Sequence, residues 1–290
     1  MLMGLALMLI GGQSAIMSGC ASPRTIVDAD FSPLHHAIHP VDDRLHGIIG
    51  QHVRDTLQIS GPWLVGHEGF MTPALAQVSE QDPSGLNDPG KGYLRLSTVR
   101  DGGRTLASEV MSDGFPGTAR GYYETRMVVD PEHRAGGCLS FFWIQARDTK
   151  GRSWRGASFG PLEIDIEFLA NEPWATHPDQ PGYVHFTLHP SNTTWRQPLP
   201  FNPSTGYHRY GFLWVANRVI YTVDGKPVHA MTEPGLSHAP PNGGWMMANV
   251  WSGPRDWGGV TPEQPVSAVY NRMVHFGGVA RIIPYAPRQL

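Results

Sequence analysis

Glu163-Ile164-Asp165-Ile166-Glu167-Phe168 sets three acids at strict period two, with β-branched residues between them. Alternate residues of a strand share a face, so the three carboxyls stand in a row on one side while Ile164 and Ile166 point into a core. Each charge in such a row raises its neighbours' proton affinity, and a strand with only a structural task has no reason to bear that cost. The row therefore implies chemistry. Alternate strand positions lie roughly 6.6–6.8 Å apart, and long glutamates leaning across the middle aspartate bring the outer carboxyls to the roughly 5–5.5 Å of a retaining glycosidase. In that chemistry one outer glutamate, ionised, attacks the anomeric carbon. The other, its pKa raised, protonates the leaving oxygen and later deprotonates water. Asp165, between them, can hydrogen-bond the nucleophile and tune both. Two blander readings stand beside this one: a solvated acidic face, and a calcium site. The second is weak because one straight strand cannot surround a cation with six to eight oxygens.

The row needs a sheet to hold it. The chain has 290 residues, 40% of them hydrophobic and 16% charged, enough for a substantial core. A net charge of -3 supplies no positive field for a polyanion, so nucleic acid is not an expected partner. Thirty-four glycines and 26 prolines without a repeat suit many short strands better than long helices. Strand-like runs fall at Tyr93–Val99, Gly121–Val129, Leu139–Gln145, Leu162–Leu169, Tyr183–His189, His208–Trp214, Val219–Val223, Trp245–Trp251 and Met273–Ile283. Asp224-Gly225 supplies the positive φ angles of a tight hairpin after Val219–Val223. The expectation is an all-β protein, a sandwich over residues 63–290.

Residues 1–19 are apolar and uncharged, too short and glycine-broken to span a bilayer comfortably, and read as a secretory signal. Met17-Ser18-Gly19-Cys20 is similar to a bacterial lipoprotein box, which would lipidate Cys20 and hold an exported protein to a membrane in the periplasm or outer membrane; an ordinary signal with an incidental Cys20 is the alternative. Residues 20–62 read as a tether followed by an amphipathic helix, from the recurrence of Val41, Leu45, Ile49, Val53 and Leu57 every four residues. His35, His36 and His39 lack a completing carboxylate or cysteine, so no metal is assigned. With Cys20 acylated, Cys138 has no disulfide partner and reads as a buried small hydrophobe, a catalytic thiol being the alternative. No cofactor is expected, the sequence gives no support to a structural calcium, and the chain is expected to be a monomer.

Glu-Ile-Asp-Ile-Glu-Phe at 163–168, preceded by Phe141-Phe142-Trp143, resembles the signature of glycoside hydrolase family 16, and most closely its lichenase-like members, whose acid strand has no extra residue before the last glutamate. Further landmarks are Gly121-Tyr122-Tyr123-Glu124-Thr125-Arg126, Tyr210-Gly211-Phe212-Leu213-Trp214, Val223-Asp224-Gly225, Asn249-Val250-Trp251-Ser252-Gly253 and Trp257-Gly258-Gly259. The resemblance covers about Tyr93 to Ile283. It implies a jelly-roll β-sandwich with a concave cleft and retaining endo-hydrolysis of a β-linked polysaccharide, with Glu163 as nucleophile and Glu167 as acid/base. It also implies substrate contacts from Glu124, Trp143, His189, Trp251 and Trp257. Each has a structural alternative: a strand-surface charge for Glu124, a loop histidine for His189, core aromatics for the tryptophans. Transglycosylation on the same site, or a non-catalytic carbohydrate-binding envelope protein, are the alternative functions. Pro161 stands where these enzymes carry a Trp, so one sugar platform is either lost or supplied from elsewhere, with Trp154 as the candidate, and Asn171–Gly182 is longer than the expected tight connection.

Overall fold

The computed structural model describes residues 69–277 apart from 91, 113–119, 130–134, 147–158, 241–242 and 254–255, together with short strands between 16 and 65 and at 281–283. Thirteen strands build the domain: β1 (Ala76–Ser79), β2 (Tyr93–Asp101), β3 (Arg104–Ser112), β4 (Gly121–Val129), β5 (Cys138–Ala146), β6 (Phe159–Leu169), β7 (Tyr183–His189), β8 (Thr193–Pro198), β9 (His208–Val215), β10 (Arg218–Val223), β11 (Lys226–Thr232), β12 (Gly244–Trp251) and β13 (Val266–Gly277). They form two antiparallel sheets. One runs β1-β2-β13-β4-β9-β10-β11. The other, which bears the acids, runs β3-β12-β5-β6-β7-β8. The β2–β3 hairpin links the two sheets, turning at Gly102 and Gly103 with φ of 53° and 81°. The expected jelly-roll sandwich is what forms.

Alternation explains the layers. Leu139, Phe141 and Trp143 on β5, Ile164, Ile166 and Phe168 on β6, and Val184, Phe186 and Leu188 on β7 all enter the core. From the other sheet they meet Tyr123, Tyr210, Phe212, Trp214 and Tyr221. Phe186 stacks on Tyr221 with centroids 4.2 Å apart, and Trp143 meets Trp214 edge-on at 4.9 Å. Two tyrosines cross the core to the backbone beside the acid strand: Tyr221 donates to the Thr187 carbonyl and Tyr270 to that of Ser140, at 3.1 and 3.0 Å. The strand carrying the acids is thus braced through both of its neighbours. At β10–β11 the expected hairpin turns on Asp224 and Gly225, with φ of 49° and 73°.

Two expectations change. Met273–Ile283 is not one strand: β13 begins at Val266, and Arg281–Ile283 is separate. β1, β3 and β8, and most of β11, carry too little apolar alternation to be recognised from sequence. The helix expected over Val41–Leu57 is neither supported nor overturned, since residues 42–43 and 50–56 lie outside the described residues; strands are described at Arg44–Ile49 and Leu57–Ile59, the latter paired with β3. Of the leader only Ile16–Ser18 is described, as a strand beside Arg281–Ile283; of the tether, Arg24–Ala29 and Ala37–Val41 are described as strands, the former paired with β13, and Cys20 lies outside the described residues.

Candidate active site

β6 lies between β5 and β7, and its register fixes what faces each acid. Glu167 is opposite Ser140 and His185, Asp165 opposite Phe142 and Thr187, and Glu163 opposite Ile144 and His189. Directly opposed residues share a face, so His185, Thr187 and His189 line the acid row. Asn249 on β12 and Glu109 on β3 continue the Glu167 level across the sheet. There the Ser140 hydroxyl donates to Asn249 Oδ1, and Asn249 Nδ2 donates to Glu109 Oε2 at 3.3 Å.

Burial and crowding set the electrostatics. Asp165 is 5% exposed, while Glu163 and Glu167 are half-buried. Burial, then the charge of Asp165 and its hydrogen bond, push the Glu163 carboxyl well above the usual carboxylate range, with Glu167 adding to the rise and His189 opposing it. Burial and the Glu167 charge raise Asp165 likewise. The hydrogen bond between the two raises Glu163 and lowers Asp165, so Glu163 is the donor, and His189 Nε2 lies 3.3 Å from Asp165 Oδ2. Glu167 is also raised by burial, but it is held back by donors: the Cys138 thiol and the Trp257 indole N–H each reach its Oε1 at 3.2 Å, with His185 and His189 nearby.

Close backbone packing delivers Trp257. Gly136 and Gly137, at φ 96° and 116°, open β5, and the Gly137 N–H donates to the Gly258 carbonyl at 2.8 Å. A Cβ on Gly258 would stand 2.3 Å from the Ser252 carbonyl oxygen, so only glycine lets this loop fold against β5. His185 then meets the Trp257 ring edge-on at 5.1 Å. His185 is itself fixed by Glu172, whose Oε1 lies 3.1 Å from its Nε2 and 2.7 Å from Arg196 Nε, while Oε2 accepts from Trp174 Nε1 at 2.9 Å. Burial opposes ionisation of Glu172, but these donors overcome it and hold its pKa below the ordinary value.

The structure brings Glu163, Asp165, Glu167, His189 and Trp257 together, and places the half-buried Trp251 on the same face, opposite Cys138. Two expected substrate residues do not join them. Trp143 is 0% exposed and points into the core, because it lies one residue out of phase with Phe142 on β5. Glu124 belongs to the other sheet, on the face away from the core, where it accepts from the Tyr122 hydroxyl at 2.7 Å and lies near Arg209 and Arg272. Trp154 lies outside the described residues, and Pro161 is exposed. The long connection Asn171–Gly182 supplies Glu172 and buries Trp174 against Phe168.

Sequence reasoning missed His185, Glu172, Arg196 and the role of Cys138. His185 was legible, since it shares the period of His189 on the same strand. Glu172 and Arg196 were not, because their meeting depends on how a loop and an edge strand fold. The Cys138 burial expected from sequence holds, but its thiol faces the acids. Glu163, Asp165 and His189 have donor atoms within 4.8 Å of one another. They also engage one another, as a hydrogen-bonded carboxyl pair with its histidine.

A sandwich whose sheet face carries three carboxyls in a row, with indole rings at their side, defines a carbohydrate-active enzyme of glycosidase type. The family model of glycosyl hydrolases family 16 matches residues 96–264. A β-glucanase of Acetivibrio thermocellus is 27% identical over 191 residues, 64% of this chain and 51% of that protein. Xyloglucan endotransglucosylase/hydrolase protein 3 of Arabidopsis thaliana is 30% identical over 138 residues, 47% of this chain and 42% of that protein. The chain thus spans about half the length of these curated relatives, or less. Among solved structures, a β-1,3-1,4-glucanase (lichenase) from a mouse hindgut metagenome superposes with a TM-score of 0.56 at 20% identity, over 80% of this chain and 94% of that one. The chain belongs to glycosyl hydrolases family 16.

Proposed function

We propose that the protein is a retaining endo-β-glucanase in which Glu163 is the nucleophile, Glu167 the acid/base and Asp165 the residue that tunes the nucleophile. The carrying observation is the placement of the three acids on one face of β6, between β5 and β7, in a chain that belongs to glycosyl hydrolases family 16. Glu163 and Asp165 share one hydrogen bond, whereas Glu167 receives two neutral donors on a single oxygen. The hydrogen bond raises Glu163 and lowers Asp165, so in the resting protein its proton is on Glu163 and passes to Asp165 before Glu163 attacks C1 as an anion. The glycosidic C–O bond breaks as the Glu163–C1 bond forms, and the leaving oxygen takes the proton of Glu167. Water then gives its proton to the Glu167 carboxylate and displaces Glu163, so configuration at C1 is retained. Similarity to both a β-glucanase and a xyloglucan endotransglucosylase/hydrolase supports a β-linked glucan as substrate, and it gives a sugar hydroxyl the same place as the water in a second reading, transglycosylation.

The test is a pair of variants on a mixed-linkage β-glucan and on an aryl β-glycoside with a good leaving group. Glu163→Ala should lose both activities with the fold intact. Glu167→Ala should keep the aryl substrate and, with added azide, release a β-glycosyl azide. Full turnover by Glu163→Ala, or an azide product of inverted configuration, would overturn the assignment.

A further inference from the structure

Glu167 is approached through one of its two oxygens only by groups that give hydrogen bonds. The Trp257 indole N–H can donate but not accept. The Cys138 thiol is fully buried, and burial followed by the Glu167 charge pushes it well above the ordinary thiol range, so it stays protonated and donates. Both reach Oε1, at 3.2 Å each. A hydrogen on Oε1 would face two donor hydrogens. We propose that Cys138 and Trp257, by converging on Oε1 of Glu167, reserve Oε2 as the oxygen that carries and transfers the proton, with Cys138 a positioning residue that sets the alkaline limit of turnover. The inference rests on Glu167 being the acid/base.

The surroundings leave these two donors a distinct part. Glu163 and Asp165 face Glu167 from its own strand, His185 and His189 from β7, Glu109 through Asn249 and Ser140 from β12 and β3, and Tyr221 from the opposite sheet. The hydrogen bonds that hold the Glu167 carboxyl, among the described residues, come from Cys138 and Trp257. With both donors on Oε1, Oε2 receives neither of them. When Oε2 passes its proton to the glycosidic oxygen, the electron pair of the broken C–O bond goes to that oxygen, and the two donors stabilise the carboxylate left behind. Losing either donor makes the carboxylate less favourable, so the proton is held to higher pH.

The experiment is the pH profile of kcat/KM on a mixed-linkage β-glucan for Cys138→Ala, Cys138→Ser and Trp257→Phe, with melting temperatures alongside. Cys138→Ala and Trp257→Phe should each move the alkaline limb upward by about half a pH unit or more. Cys138→Ser, which restores a donor, should leave it at or below the wild-type position. Loss of rate should be several-fold larger on the glucan than on a dinitrophenyl glycoside, whose departure needs little acid. If Cys138→Ala does not fold, Trp257→Phe carries the same expectation from a surface loop. An alkaline limb unmoved in the folded donor-deleting variants overturns this inference while Glu167→Ala remains inactive on glucan. Full glucan turnover by Glu167→Ala would instead overturn the assignment beneath it.

Discussion

Trp143 and Trp251 stand on neighbouring strands and carry the same side chain, yet their phase puts them on opposite faces. Trp143 is sealed against Trp214, whereas Trp251 is half-buried on the acid-bearing face. The two residues should therefore fail in different ways. Trp143→Ala removes a fully buried indole and should cost about 3–5 kcal/mol, a large part of a domain's stability, with the catalytic constants of the remaining folded protein little changed. Trp251→Ala should cost no more than about 1 kcal/mol and lower kcat/KM on glucan. Denaturant unfolding and steady-state kinetics on both variants decide the matter: a Trp251→Ala protein with wild-type kinetics would remove it from the substrate face. At this scale the sequence is most legible where period two holds without interruption. The face of the acid row can be read because alternation alone decides it, whereas grouping Trp143 with the substrate residues follows its neighbourhood in the motif and overlooks its phase. Glu124 is misplaced for a different reason, since nothing local to Gly121–Val129 tells which sheet a strand will join.

The elements that position the acids are a strand pair and a loop. β5 follows a glycine pair, and residues 256–260 fold onto that start through Gly258, which brings Trp257 to Glu167. Gly258→Ala would drive a Cβ into the Ser252 carbonyl at 2.3 Å, so the loop must move. The expected outcome is a lowered kcat with a modest change in melting temperature, because the loop lies outside the main core, and a drop in indole fluorescence anisotropy from Trp257 would report its release. Unchanged kcat in a folded Gly258→Ala protein would show that Trp257 need not be held. The sequence revealed strands with apolar residues on one or both faces, such as β5, β6 and β7, and it revealed the Asp224-Gly225 turn. It did not reveal β3 or β8, whose side chains alternate weakly. Nor could it reveal the Glu172 cluster, which joins a loop, a buried strand and an edge strand, and whose partners are 13 and 24 residues apart.

For the molecule as a whole, the acid row is a standing load on the sandwich. Glu163, Asp165 and Glu167 all have carboxyls raised by burial, the first two strongly. A carboxyl raised on folding binds more protons folded than unfolded between its two pKa values, so stability falls as pH rises through that window. Below the unfolded values, about 4, all three are neutral in both states and the penalty vanishes. Glu172 and Asp224 are lowered and work in the opposite sense, losing stability as pH falls, so the overall profile mixes the two. Comparing a variant with the wild type isolates the row. Glu163→Gln removes one charge while keeping a group that can hydrogen-bond Asp165, and it also relieves Asp165 of a like neighbour. At pH 7.5 it should stabilise the fold by on the order of 1 kcal/mol, since a tenfold rise in a carboxyl's proton affinity on folding corresponds to about 1.4 kcal/mol. At pH 4 the gain should shrink toward zero. Urea unfolding at the two pH values measures the difference directly, and a Glu163→Gln protein no more stable than wild type at pH 7.5 would mean that the row imposes no such load. The same variant is expected to be inactive, so stability gained and turnover lost would trace to one carboxylate.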